Sequence, residues 1–314
     1  MNKIGLHAPV LDDRGNGTVI YDYASALRDI LGYNPIIISS RQKSIGVQER
    51  FSKFETILYD NASELTKIID KHKIEFLYMT CGGAYEEYTP KNCKTGIHCV
   101  FNMNTPFGDV YAGVSEWLAK RFNKKLWVPH IINLPKTSQT LHEDLGIPSD
   151  AFVIGRLGGY NQFDINIAQS ALISAINARK DLWAIFLNTR PFTDHPKVKF
   201  LPFNPDLLYK SKFIQTCDAM LHARSDGETF GLAVGEFSSM NKPVFTYDAN
   251  YDWYMRAHLD FLGEKALRYK TEEDLCSYLL QIDKEYVSNV EWDCYSSCFS
   301  PENVIKHFDN IFIK

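Results

Sequence analysis

Short, nearly continuous apolar runs alternate with amphipathic stretches along the chain, and this rhythm restricts the fold more than any other feature. Lys3-Ile4-Gly5-Leu6-His7-Ala8 reads as a first strand, Pro35-Ile36-Ile37-Ile38-Ser39 as a second and Thr56-Ile57-Leu58-Tyr59 as a third. Residues 75–79 and 96–101 add two more. Between them a helix is expected over residues 19–31, with Ile20, Tyr23, Ala24, Leu27 and Leu31 on one face and Gly32 at its end. Ser63 is expected to cap a helix carrying Leu65, Ile68 and Ile69. A strand that is apolar on both faces must be covered on both, so the pattern specifies a parallel sheet flanked by helices, the α/β class.

The rhythm stops and then restarts. Residues 134–149 are polar and hold Pro135 and Pro148, which places a domain boundary there. A second alternation opens at Ala151-Phe152-Val153-Ile154-Gly155. It continues through a helix at 165–179, strands at 182–187 and 198–201, a helix at 205–217, a strand at 218–222, a helix at about 230–240 and a strand at 243–246; the remainder, at 272–282 and 301–313, is helical. The expected organisation is an N-terminal Rossmann-like domain over 1–135 and a second over 136–300, with the final helix, 301–314, packing back on the first. Two doubly wound domains facing each other would hold a ligand between the carboxyl ends of their sheets.

Composition removes several classes. The chain has 314 residues, 45% hydrophobic and 23% charged, which suits a globular protein with a sizeable core rather than a disordered or disulfide-stapled one. A net charge of −4 disfavours nonspecific nucleic-acid binding. The seven cysteines form no Cys-x-x-Cys pair and read as reduced thiols of a cytoplasmic protein rather than zinc ligands. The first residues do not resemble a secretory signal, and no 18-residue apolar run suggests a membrane span.

The segment Ser225-Asp226-Gly227-Glu228-Thr229-Phe230-Gly231-Leu232-Ala233-Val234-Gly235-Glu236 carries the chemistry. It follows a strand and opens a helix. Backbone N–H groups around Thr229, Phe230, Gly231 and Leu232, helped by the helix dipole, make an anion site suited to phosphate. Gly231 would let a ligand approach the backbone. Glu236, expected about two turns along, can accept from the vicinal hydroxyls of a ribose, and Glu228 can reach a sugar beyond the diphosphate. Read more plainly, Glu228 complements the helix dipole and Glu236 is a solvated helix residue.

This segment, closed by Asn241-Lys242-Pro243-Val244, resembles the nucleotide-sugar-binding signature of GT-B-type retaining glycosyltransferases, especially their large family four. Ile154-Gly155-Arg156-Leu157 resembles the strand with that family's diphosphate-binding arginine. Residues 114–120 and Trp127-Val128-Pro129-His130-Ile131 resemble its late N-terminal helix and linker strand, and Gly15-Asn16-Gly17 stands in place of its glycine-rich loop. The resemblance implies a two-domain GT-B enzyme that moves a sugar from a UDP- or GDP-linked donor to a glycan or glycolipid hydroxyl. It also implies retention of configuration, no metal, no other cofactor, an acceptor site in the first domain and a donor site in the second. On this basis Arg156 and Glu228 are catalytic. Gly15, Gly17, Arg224, Thr229, Phe230, Gly231, Leu232, Glu236 and Phe203 bind the donor, Phe203 lying in the segment that holds the base. No Asp-x-Asp motif is present, which agrees with metal-independent chemistry in that family.

Two departures stand out. The family's lysine five residues after the arginine is replaced by Asn161, and its mid-domain histidine has no counterpart in Phe101-Asn102-Met103-Asn104. Arg224 either supplies the second positive charge or forms a salt bridge to Asp226 or Asp218. His7 faces the ligand or the core, His98 reads as a core histidine, and Arg14 as a loop charge with access to substrate. Tyr85, Tyr88 and Tyr111 are candidate sugar-stacking rings. The run Lys120, Arg121, Lys124 and Lys125 beside Trp117 and Phe122 reads as a solvated face or as a peripheral contact with an anionic membrane. Two rival functions use the same donor site: a sugar-nucleotide epimerase of the same fold and a noncatalytic sugar-nucleotide-binding protein. A dehydrogenase is disfavoured because no Gly-x-Gly-x-x-Gly follows a strand.

Overall fold

The computed structural model describes residues 3–12, 15–44, 49–84 and 88–314. Arg14 and Tyr85, singled out above, lie outside them. The chain divides into two compact units, Met1–Asn133 with Cys298–Lys314, and Leu134–Ser297.

The first unit holds a parallel six-stranded sheet of β1 (Lys3–Ala8), β2 (Asn34–Ser40), β3 (Glu55–Tyr59), β4 (Phe76–Cys81), β5 (Lys94–Cys99) and β6 (Val110–Gly113), in the order β3-β2-β1-β4-β5-β6. Nearly every residue of β1, β2, β4 and β5 is buried, as apolar strands covered on both faces must be. The first helix, Gly15–Asp29, starts four residues before the expected position, so the glycines read as a loop form its first turn. The cap of the helical segment after β3 is Asn61, not Ser63. Its side chain accepts from the Ser63 N–H while Glu64 reaches back to the Asn61 N–H, a reciprocal pair that Ser63 cannot make from inside the turn.

Residues 298–314 complete this unit. Ser300 caps the helix Pro301–Phe308, which continues as a π-helical turn over Asp309–Ile313. Phe308 packs on Tyr23 and Tyr78 at 5.0 and 5.3 Å between ring centroids, and Phe312 on Tyr78 and His98 at 5.7 Å each. Tyr33 Oη donates to Asp309 at 2.8 Å and Lys94 Nζ to the Ile313 carbonyl at 2.9 Å.

The second unit repeats the plan with β7 (Phe152–Leu157), β8 (Leu182–Leu187), β9 (Val198–Leu201), β10 (Ala219–His222), β12 (Val244–Tyr247) and β14 (Ala266–Tyr269), ordered β14-β12-β10-β7-β8-β9; β11 (Gly227–Glu228) and β13 (Met255–Arg256) form a separate two-stranded ribbon. All ladders are parallel. An apolar cluster that includes Phe152, Ile154, Leu172, Phe186, Leu221 and Phe245 fills the space between sheet and helices.

Candidate functional site

In the second unit the strand order reverses between β7 and β10, whose following loops open side by side at the carboxyl end of the sheet, where open parallel sheets bind ligands. Arg156, the fifth of six residues in β7, sits at this point and is 4% exposed. Its guanidinium donates to Thr189 Oγ1, to the Gly159 carbonyl at 3.0 Å and to the Asn188 carbonyl at 3.5 Å. All three acceptors are neutral. Burial pulls its pKa down, to about 10, against the opposing pull of the Glu228 and Asp164 carboxylates, so it stays charged at neutral pH. A buried cation held only by neutral groups is electrostatically costly unless an anion completes it.

The loop after β10 is tied to the loop after β7. Asp164 accepts from the Ser225 N–H at 2.8 Å and from the Ser225 hydroxyl at 2.7 Å. Arg224 Nη1 donates to Glu228 at 2.9 Å and Nη2 lies 3.6 Å from Asp226. The principal partner of Arg224 is therefore Glu228, four residues on; Asp218 instead accepts from the Val153 N–H at 2.7 Å. Arg224 Nε is buried with no hydrogen-bond partner.

Glu228 lies on β11, in register with Arg256 of β13. Two histidines missed in the sequence reach it. His222 Nε2 is 3.4 Å from Glu228, His222 Nδ1 is 3.0 Å from Thr246 Oγ1, and Thr246 Oγ1 is 3.0 Å from His258 Nε2. A carboxylate only accepts, so in neutral His222 the Nε2–H donates to Glu228 and Nδ1 accepts from Thr246, whose oxygen accepts from His258. Burial alone would raise the Glu228 carboxyl, but the His222 hydrogen bond and the Arg224 charge outweigh it and hold the pKa at about 2. Burial keeps His258 well below the usual histidine range.

The helix expected from Phe230 begins at Leu232 and runs to Ser239. Gly231 caps it at φ +84°, a left-handed conformation that favours glycine, and a Cβ there would press to 3.3 Å on His258 and 3.4 Å on Glu228. The Phe230 ring is core, packed edge-on against Phe261 and Tyr295, so only its backbone is available to a ligand. Thr229 is buried beside it. Glu236 is one turn into the helix rather than two, and it is not solvated: it is 4% exposed and its Oε1 accepts from Lys210 Nζ at 2.7 Å. Phe203, just past β9, is 42% exposed.

Gly15 and Gly17 belong to the first unit, and Arg156, Arg224 and Glu228 to the second. Gly17 is packed so closely that a Cβ would lie 1.6 Å from the Asp12 carbonyl oxygen, which requires glycine there whatever binds. His7 is 2% exposed; its Nε2 pairs with Tyr59 Oη at 2.9 Å and burial lowers its pKa to about 4. His98 accepts from Tyr78 Oη at 2.6 Å and donates to the Val128 carbonyl at 2.8 Å, with its pKa likewise lowered by burial to about 4. Lys120 pairs with Glu116 at 2.8 Å and Arg121 lies over the Trp117 ring. Among the described residues no group of three or more His, Cys, Asp or Glu is placed to hold a metal, and no helix is long and apolar enough to cross a membrane.

No known family profile matches the chain, and no curated protein matches it in sequence. Solved structures do match in fold. Anabaena HepE, in a complex with UDP and glucose, is 14% identical with a TM-score of 0.71, over 99% of this chain and 98% of its own. A glycosyltransferase from Rickettsia africae is 14% identical with a TM-score of 0.66, over 99% and 95%. AviGT4, a glycosyltransferase of avilamycin A biosynthesis, is 11% identical with a TM-score of 0.65, over 99% and 97%. These neighbours and the two six-stranded parallel sheets establish the fold class as α/β, GT-B.

Proposed function

We propose that the protein is a glycosyltransferase that moves a sugar from a UDP- or GDP-linked donor to a hydroxyl of a glycan or glycolipid, without a metal and with retention of anomeric configuration. One observation carries the reading: buried Arg156, held only by neutral acceptors, shares the strand-reversal point of the second unit with Arg224 and Glu228. A diphosphate supplies a directly hydrogen-bonded anion, which Glu228 and Asp164, acting on Arg156 only through their charge, do not. HepE, similar over 99% of the chain, has been solved in complex with UDP and glucose and with UDP-glucose, which supports a nucleotide-sugar donor.

In this reading the second unit binds the donor and the first the acceptor. Arg156 and Arg224 stabilise charge on the departing diphosphate, joined by backbone N–H groups around Thr229, Phe230, Gly231 and Leu232. Arg224 takes the place of the family's lysine, where Asn161 stands. The His258–Thr246–His222 chain orients Glu228, which accepts from donor-sugar hydroxyls. Lys210 holds one oxygen of Glu236 and leaves the other for the ribose. The leaving phosphate itself takes the acceptor proton, so no separate base is required. Gly15 and Gly17 hold the start of the first helix close to the chain before it, and Phe203 offers a surface to the base. The protein works in a reducing cytoplasm, with peripheral membrane contact through the Lys120–Lys125 segment when the acceptor is a lipid.

The test is thermal stabilisation by UDP, GDP, UDP-glucose, GDP-mannose and NAD, since a ligand of the native state raises stability with the logarithm of its saturation. A rise with a nucleoside diphosphate or its sugar, absent with NAD, is expected. A rise with NAD alone sinks the proposal. Solvent deuterium entering the nucleotide sugar with no acceptor present would instead establish the epimerase.

A further inference from the structure

Tyr251 and Trp253 stand 51% and 53% exposed, with ring planes 7° apart and centroids 5.1 Å apart. Parallel rings at that separation are offset, so each keeps an outer face open to solvent. The turn that carries them is fixed at both ends. Arg256 Nη1 donates to the Ala249 carbonyl at 2.9 Å and pairs with Asp248 at 2.8 Å, the Tyr254 N–H donates to the Tyr251 carbonyl at 3.0 Å, and Tyr254 Oη donates to the Tyr247 carbonyl at 2.6 Å. At the base of the turn the Tyr247 ring packs edge-on against Tyr254 at 6.3 Å between centroids, within the small core cluster beneath. The turn leads straight into β13: the Met255 N–H donates to the Asp226 carbonyl at 2.9 Å, and Arg256 stands in register with Glu228.

We propose that Tyr251 and Trp253 form a platform for a pyranose ring, an inference that rests on the sugar-transfer reading above. One face of a pyranose presents C–H groups, weakly positive and apolar, and an aromatic face is its electrostatic complement. The hydroxyls around the ring need polar partners, and exposed Asn250 and Asp252 alternate with the two aromatics to supply them. Two large rings held rigid at the surface lose little conformational freedom on binding. The ring belongs either to the donor or to the acceptor, and the chemistry is the same for both.

The full chain is titrated with UDP, with UDP-glucose and with an array of glucose-, galactose-, mannose- and N-acetylglucosamine-containing oligosaccharides, as wild type, Trp253→Ala and Trp253→Phe. Trp253→Ala should weaken binding of at least one sugar-bearing probe about tenfold relative to its effect on UDP, and Trp253→Phe should restore most of it. A selective loss on UDP-glucose assigns the platform to the donor sugar, and one on free oligosaccharides to the acceptor. Equal effects on UDP and every sugar, no effect on any probe, or a wild type that binds no sugar overturns the platform. If UDP fails to bind while oligosaccharide binding depends on Trp253, the donor reading falls and the platform stands.

Discussion

His7 and Arg156 occupy matching places in two sheets of matching topology. Each is the fifth residue of a six-residue strand beside which the strand order reverses, and they are 2% and 4% exposed. Around His7 and His98 the buried polar groups are neutral at pH 7, with Tyr59 and Tyr78 as partners. Around Arg156 they are charged: Arg224, Glu228 and Asp164. The same backbone plan buries a neutral ring in one case and a cation in the other. Topology therefore locates two places for ligands, and the distribution of charge tells which is suited to a diphosphate.

Acid should separate the two units most strongly. His7 and His98 are held at about 4 in the folded chain against 6.5 unfolded, so their contribution is complete above about pH 6.5 and is lost as pH falls to about 4. At roughly 3 kcal/mol each, the first unit loses on the order of 6 kcal/mol across that window. His130 adds to this loss, and His258 opposes the contrast from the second unit. Hydrogen exchange resolved by unit between pH 7 and 4 should show residues 3–133 opening first; equal sensitivity would remove the contrast.

Removing the cation tests the other side. Arg156→Met should lower kcat/KM for sugar transfer about 10²–10³-fold, or about 2.7–4 kcal/mol, while unfolding free energy changes by less than about 1 kcal/mol. A large stability loss with activity intact would make Arg156 a structural residue, like His7. Glu228→Gln leaves Arg224 without its main countercharge and should destabilise the protein by roughly 1–3 kcal/mol, less than a fully buried pair because the Glu228 side chain is 21% exposed. The Glu228 carboxyl is held at about 2, below its ordinary 4.5, so its contribution is full above about pH 4.5 and lost toward pH 2. Denaturant unfolding should show wild type and variant converging over that range. The smallest expected effect is that of Glu236→Gln, about tenfold in UDP affinity by calorimetry, or about 1.4 kcal/mol. No change would leave Glu236 as the partner of Lys210 alone.

Much of the architecture was legible because buried parallel strands are written as continuous apolar runs; Leu182–Leu187 and Val198–Leu201 appear at the expected residues. The edge strands β6 and β14 were not, since Val110-Tyr111-Ala112-Gly113 and Ala266-Leu267-Arg268-Tyr269 are too short and too mixed to read as continuous apolar runs. The glycines at 15 and 17 hid the start of a helix; at position 17, close packing against Asp12 demanded glycine inside the first turn. At the candidate site, Arg156, Glu228 and Gly231 stood in one recognisable pattern. His222, Thr246 and His258 did not: they meet across β10, β12 and the helix Ala257–Leu262, and no local spacing announces such a meeting. Lys210 was missed for the same reason, 26 residues from Glu236.

The residues that finish the first unit, Cys298–Lys314, come after the whole of the second unit in the chain. A ribosome making this protein releases β1 through β6 long before Phe308 and Phe312 exist to cover Tyr23, Tyr78 and His98. The half begun first is thus the half completed last, and its bare aromatic surface must wait through the synthesis of more than 160 residues, Leu134–Ser297. Chaperone dependence during translation should accordingly map to the early strands, while the later unit can close on its own as it emerges.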